Sequence, residues 1–194
     1  MRTLIVKLEG TTPLSFSRYH NEPWKTNATG SKAETHEEYD KRTWRSKLHV
    51  LDDGSVYIPP MALKGAMEGA AAYNPTKKKG SATWTRNLTA SVVIQDPIVL
   101  DAVKVKDVES ETLPMTSDGK PSRFSKGSRV PRTFPLIRSG WKTSATLIVL
   151  DDTLPQTVVE QAIGDAGVFV GIGRWRAENR GLYGRFRVVS KKWS

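Results

Sequence analysis

The chain has no cysteine among its 194 residues, which excludes disulfides, thiolate metal sites and cysteine nucleophiles and suits a reducing compartment. Histidine is scarce as well: His20, His36 and His49 are the only three. No apolar run approaches the roughly 20 residues that a membrane-spanning helix needs. The first stretch, Met1 to Glu9, carries Arg2 and Lys7 and is too short for a signal peptide. A soluble, cytoplasmic protein with no membrane partner is therefore expected. Acidic residues are also in short supply. Twenty Asp and Glu face thirty Lys and Arg, a formal charge of +10, which favours a polyanionic partner over an acidic small molecule. With 38% hydrophobic residues the chain can bury one core but is short for two, so a single domain over residues 1–194 is expected. It contains no low-complexity tract and no convincing internal repeat.

Thr3 to Leu8 alternates and is rich in branched residues, as a half-buried strand requires, and Gly10 with Thr11-Thr12-Pro13 ends it. Residues 15–47 form a long polar stretch in which a short helix is expected near Thr35 to Trp44. Leu48 to Ile58 reads as a hairpin around Asp52-Asp53-Gly54-Ser55 and leads to Pro59-Pro60, where proline suits a helix start. The helix Met61 to Tyr73 follows, with its alanines suited to close packing and Lys64 and Glu68 at i,i+4. Lys77-Lys78-Lys79 marks a solvated basic loop. Ala90 to Gln95 and Ile98 to Val105 are expected strands, and residues 106–140 have little core pattern. Trp141 to Leu150 is a strong strand signal. Pro155 opens a second helix that Gly164 and Gly167 end, and Val168 to Val170 and Leu182 to Val189 are expected strands. This order predicts an α+β fold with helices on one face of an antiparallel sheet, of the ferredoxin-like or RNA-recognition-motif-like type.

The most informative segment runs from Gly171 to Arg187. Gly171, Gly173, Gly181 and Gly184 bracket an arginine-rich excursion. Glycine lets a backbone approach a phosphate and point N–H groups at it, while Arg174, Arg176, Arg180, Arg185 and Arg187 supply charge and paired donors. Trp175 and Tyr183 are suited to stacking on unpaired bases. The alternative is a tight turn between two strands with an ordinary basic face. A second element is the helix start after Pro59, whose free N–H groups attract phosphate and where Lys64 adds a charge. A third is the run from Gly119 to Lys142, which holds Lys120, Arg123, Lys126, Arg129, Arg132, Arg138 and Lys142 with no acid between them.

Thr12-Pro13-Leu14-Ser15-Phe16, then Ile58-Pro59-Pro60-Met61-Ala62-Leu63-Lys64-Gly65-Ala66-Met67, then the late glycine loop occur in the order seen in the RAMP superfamily of CRISPR systems. Within it the chain most resembles the type III-like backbone subunit. Ser17 stands where that family usually has glycine, and Pro60-Met61-Ala62 where it has small Gly and Ser, so the resemblance is to a divergent member. It implies an inserted β-hairpin thumb, at about residues 104–140, and copies that polymerise along a guide RNA in an antiviral ribonucleoprotein. The implied partners are guide RNA, complementary target RNA or DNA, other copies of this chain and other CRISPR effector subunits. No cofactor and no metal are expected. The RNA-binding set is Arg18, Lys64, Lys120, Arg123, Lys126, Arg129 and Arg132 together with Gly171, Gly173, Arg174, Trp175, Arg176, Arg180, Gly181, Gly184 and Arg185.

Relatives that process guide RNA are metal-independent ribonucleases, for which His20, beside Arg18 and Tyr19, and His36 are the candidate acid–base groups. Type III backbone subunits cut target RNA with an aspartate in the loop after the Pro-Leu segment. Here that loop has Asn21 and Glu22, and the first aspartate is Asp40. A binding subunit without a catalytic residue is the leading expectation. The alternatives are an endoribonuclease using His20, His36 or Asp40, and a filament-forming structural protein that needs no RNA.

Overall fold

The computed structural model describes residues 1–26, 34–73, 83–116 and 129–194. In chain order its elements begin with β1 (Arg2–Gly10), β2 (Leu14–Ser15), α1 (His36–Thr43), β3 (Ser55–Ile58), α2 (Pro60–Ala70) and α3 (Thr85–Ser91). They continue with β4 (Val92–Val93), β5 (Ile98–Lys104), β6 (Glu109–Thr116), β7 (Arg129–Ile137), β8 (Lys142–Val149), α4 (Gln156–Asp165) and β9 (Phe186–Trp193).

The alternation in β1 does what its period requires. Leu4, Val6 and Leu8 are buried while Ile5 and Lys7 on the other face are exposed. β8 repeats the pattern with Thr143, Ala145, Leu147 and Val149 inward. Both pair antiparallel, from Arg2 opposite Val149 to Glu9 opposite Lys142. β9 takes the other edge of β1, with a bulge at Lys7/Leu8. The main sheet runs β3-β5-β8-β1-β9, with β4 also paired to β8. Its central four strands arise from two split β-α-β units, β1-α2-β5 and β8-α4-β9, the ferredoxin-like arrangement. One sheet face is covered by α2 through Leu63, Ala66, Met67 and Ala70 and by α4 through Val158, Val159, Ala162 and Ile163. Small alanines let both helices approach, and each large side chain buried there contributes roughly 1.5–3 kcal/mol.

The segment between β5 and β8 is an inserted hairpin. β6 and β7 pair from Glu109 opposite Leu136 to Thr116 opposite Arg129, and β2 adds a third strand through Leu14 opposite Ile137. Residues 117–128, which follow β6 in sequence and include Lys120, Arg123 and Lys126, lie outside the described residues, as do Lys77-Lys78-Lys79 and the side chain of Arg129. The polar stretch before β3 buttresses this hairpin. Its helix α1 starts at Thr35, whose hydroxyl accepts from the Glu38 N–H while the Glu38 carboxylate accepts from the Thr35 N–H.

Three local expectations are corrected. Residues 85–91 are helical and only Val92–Val93 pairs as strand, because Leu88 and Ser91 bury one helical face where the run from Ala90 suggested alternation. Residues 168–170 continue α4 as a π-type turn, Ala166–Val170, which is not a strand. Gly167 there sits against the Phe186 carbonyl, where a β-carbon would collide. The last strand begins at Phe186, later than the start expected at Leu182. No helix among the described residues is long and apolar enough to cross a membrane.

Candidate nucleic-acid interface

The loop between α4 and β9 crosses back over the chain that follows β1. The Ile172 N–H donates to the Gly184 carbonyl at 3.0 Å, the Gly184 N–H to Pro13 at 2.8 Å and the Arg174 N–H to Ser15 at 2.7 Å. Gly173 and Gly184 adopt φ of +79° and +73°, a region open to glycine at no steric cost. A β-carbon on Gly184 would strike the Ile172 carbonyl, and one on Gly181 the Trp175 carbonyl. These crossings lace the Pro-Leu segment to the glycine loop.

They also change the role expected of the glycines. The Gly171 N–H donates to Ala166 at 2.7 Å, Gly181 to Arg176 at 3.0 Å and Gly184 to Pro13. Those donors are spent inside the protein and do not face an anion. The glycines serve close backbone approach.

The lacing opens a groove of about 370 Å³. One wall is Phe16 and Ser17 with His49, the second is Pro59 and Ala62 at the start of α2, and the third is Gly173, Arg174, Trp175, Arg176 and Asn179. The three motifs separated in sequence therefore line one concavity. Arg174 lies at its inner side. Its guanidinium stands 3.4 Å from the centre of the Phe134 ring on β7, and one nitrogen approaches the Met115 sulfur on β6 at 3.6 Å. Its Nη1 is buried with no hydrogen-bond partner. Burial pushes Arg174 down to about 10. Trp175, at φ +55°, meets Tyr183 edge-on at 5.8 Å. The Tyr183 hydroxyl bonds the Glu111 carboxylate, and burial followed by that carboxylate pushes it up to about 12.

The other expected residues divide. Arg176 faces the groove but shares its guanidinium with Glu178 at 2.7 Å. Arg180, at φ +60°, and Arg185 are exposed on the same loop. Arg18 is exposed beside the groove, its backbone N–H held by the Lys47 carbonyl at 3.0 Å. Lys64 is not among the groove-lining residues and lies 3.9 Å from Glu68 on its own helix. Arg132 turns inward and bonds Asp40.

None of the three nuclease candidates enters this groove. Asp40 is fully buried, accepting from Lys47 Nζ at 2.8 Å, from Arg132 Nε and from the Thr133 N–H at 3.3 Å. It is a structural counter-ion and not a free carboxylate. Burial lowers the Lys47 ammonium from its ordinary value despite Asp40. His20 stacks on Tyr39 at 6.0 Å in a separate depression with Arg18 and Arg45, and His36 meets the Trp24 edge at 5.1 Å. The histidine in the groove is His49, which sequence reasoning passed over. It touches the rings of Phe16 at 5.7 Å and Tyr57 at 5.6 Å, and burial, then the Arg18 charge, holds it below the ordinary histidine range. Its one sequence signal is position, on the first arm of the hairpin that leads to Ile58-Pro59. No cluster of three His, Asp or Glu suited to a metal exists among the described residues.

No protein-family model matches the sequence, and no curated protein sequence matches it. Among solved structures the chain is similar to a chain of the type III-B Cmr-beta bound to cognate target RNA, at 11% identity and a TM-score of 0.58 over 99% of this chain. The present chain spans 60% of that chain's length. It is also similar to Cmr6 from Pyrococcus furiosus, at 13% identity and a TM-score of 0.50, covering 97% of this chain and 99% of that one. The fold is thus shared with that Cmr-beta chain and with Cmr6.

Proposed function

We propose that this protein is an RNA-binding subunit of a type III-like CRISPR ribonucleoprotein and that it grips the backbone of guide RNA. The observation that carries this reading is the groove itself, in which the Pro-Leu segment, the start of α2 and the glycine loop meet although the first and the last lie near opposite ends of the chain. Arg18 beside it and Arg180 and Arg185 on the glycine loop bring exposed positive charge to its surroundings, and Trp175 gives its wall an aromatic surface. Arginine contacts to phosphate carry no base information, so recognition is independent of sequence and specificity comes from pairing with the guide. The shared fold with a chain of Cmr-beta, a complex bound to target RNA, supports assembly with other CRISPR subunits and with further copies of this chain along the RNA. The hairpin β6-β7, with the basic sequence between its two strands, acts as the thumb that interrupts the guide. With Asp40 buried and His20 and His36 outside the groove, binding is the role that the geometry supports over cleavage.

Extraction and sequencing of nucleic acid that co-purifies with the protein tests this. RNA of defined length carrying repeat-derived sequence is expected; protein free of RNA that also fails to bind added single-stranded RNA overturns the reading.

A further inference from the structure

The charges beneath the groove do not balance. Lys47, Arg132 and Arg174 bring three cations to the junction of the groove with the hairpin, and Asp40 and Glu111 bring two carboxylates. Asp40 is shared between Lys47 and Arg132, and Glu111, whose charge acts on Arg174 without pairing with it, takes its hydrogen bond from the neutral Tyr183 hydroxyl. Arg174 is left with an aromatic face, a thioether sulfur and a buried nitrogen that bonds nothing. A guanidinium removed from water is costly unless an anion compensates it, and Arg174 lines the groove.

We infer that Arg174 is the seat of one phosphodiester group, whose single negative charge completes this network. The inference rests on the RNA-binding reading for its natural ligand and on the charge imbalance for its chemistry. It also connects the groove to the hairpin. The guanidinium packs on Phe134 of β7 and Met115 of β6, so a phosphate held there ties the RNA path to the base of the thumb. The other charged or polar groups near the seat are Ser17, His49, Arg176 and Asn179 on the groove walls. Arg176 is engaged with Glu178, and His49 is held in its neutral form by burial and by Arg18.

The full chain and Arg174→Met, which keeps most of the packing and removes the charge, decide the matter. Melting is followed in inorganic phosphate and in chloride at equal ionic strength, and binding of a labelled single-stranded RNA of mixed sequence is titrated across salt. Three results are expected. In chloride Arg174→Met melts no lower than the wild type, because an uncompensated charge has been removed. Phosphate raises the wild-type melting temperature and leaves that of the variant unchanged. RNA affinity of the variant falls by about tenfold and the salt slope by about one.

If both proteins bind RNA with the same affinity and slope and respond equally to phosphate, the seat is wrong and the RNA reading stands. If phosphate acts only on the wild type while neither protein binds RNA, the anion seat stands and the RNA reading falls. A variant that melts well below the wild type in chloride shows the charge to be compensated already and overturns the inference. Arg174→Lys, which restores the charge without the fork, is expected to recover the phosphate response and part of the salt slope.

Discussion

Single residues around the groove do different work from what their charge suggests. Asp40 holds Lys47, Arg132 and the Thr133 backbone together and so fixes α1 against β7. Removing one member of such a buried set leaves the others uncompensated. His49 and His20 are both held below the ordinary histidine range, burial being the first cause in each. In the unfolded chain each takes up a proton near pH 6.5, while in the folded chain uptake needs a lower pH. Between those values the unfolded state binds more protons, so stability is full above about pH 6.5 and falls as the pH is lowered. Carboxylates titrate lower, so the interval from about pH 6.5 to about 5.5 reports the histidines. A falling melting temperature across that interval is expected, flattened in part by His49→Gln. A flat profile in the wild type contradicts the burial account.

At the scale of elements, the hairpin is an insertion between β5 and β8. Its base is locked by β2 pairing and by the α1 network, and the sequence between its two strands carries Lys120, Arg123 and Lys126. Replacing these three together with serine removes three positive charges from the segment between β6 and β7. Under the proposed function the same change lowers the salt slope of RNA binding by about three, one for each phosphate no longer neutralised. An unchanged slope removes the thumb from the RNA path. Glycine loop and Pro-Leu turn form the complementary element. Their backbone lacing makes the groove a product of the fold, and Gly184→Ala, which forces a clash with Ile172, damages the groove before any ligand contact is considered.

At the scale of the molecule, one sheet face is covered by α2 and α4, and the other presents Ile5, Lys7, Lys142, Thr146 and Val189 outward. The groove lies where the glycine loop, the Pro-Leu segment and the start of α2 meet. Under the proposed function, an RNA that orders copies along itself holds the assembly together, because phosphate contacts supply the cohesion. Ribonuclease treatment of the purified assembly is expected to reduce its mass in light scattering to that of a small species and to remove its nucleic-acid absorbance. Persistence of the same oligomer without RNA favours a filament built on protein contacts.

The sequence by itself determined the strands β1 and β8, the helices α2 and α4 and their order, because alternation, helical spacing and proline starts are local signals that the burial of each face then obeys. It also marked the glycine loop and the Pro-Leu turn as special. Only the tertiary structure decided what those segments do. Gly171 spends its N–H on capping the turn before it, Gly181 on a carbonyl across the loop and Gly184 on one far along the chain, Lys64 turns to Glu68, and Arg132 and Asp40 neutralise each other. His49 reaches the groove because a hairpin places it opposite Arg174's loop. Whether a charged group meets a ligand or a counter-ion depends on which distant residues the fold brings within a few ångströms, and that distance is absent from local sequence. The unbalanced charge at Arg174 exists only once Phe134, Met115 and Glu111 are folded around it.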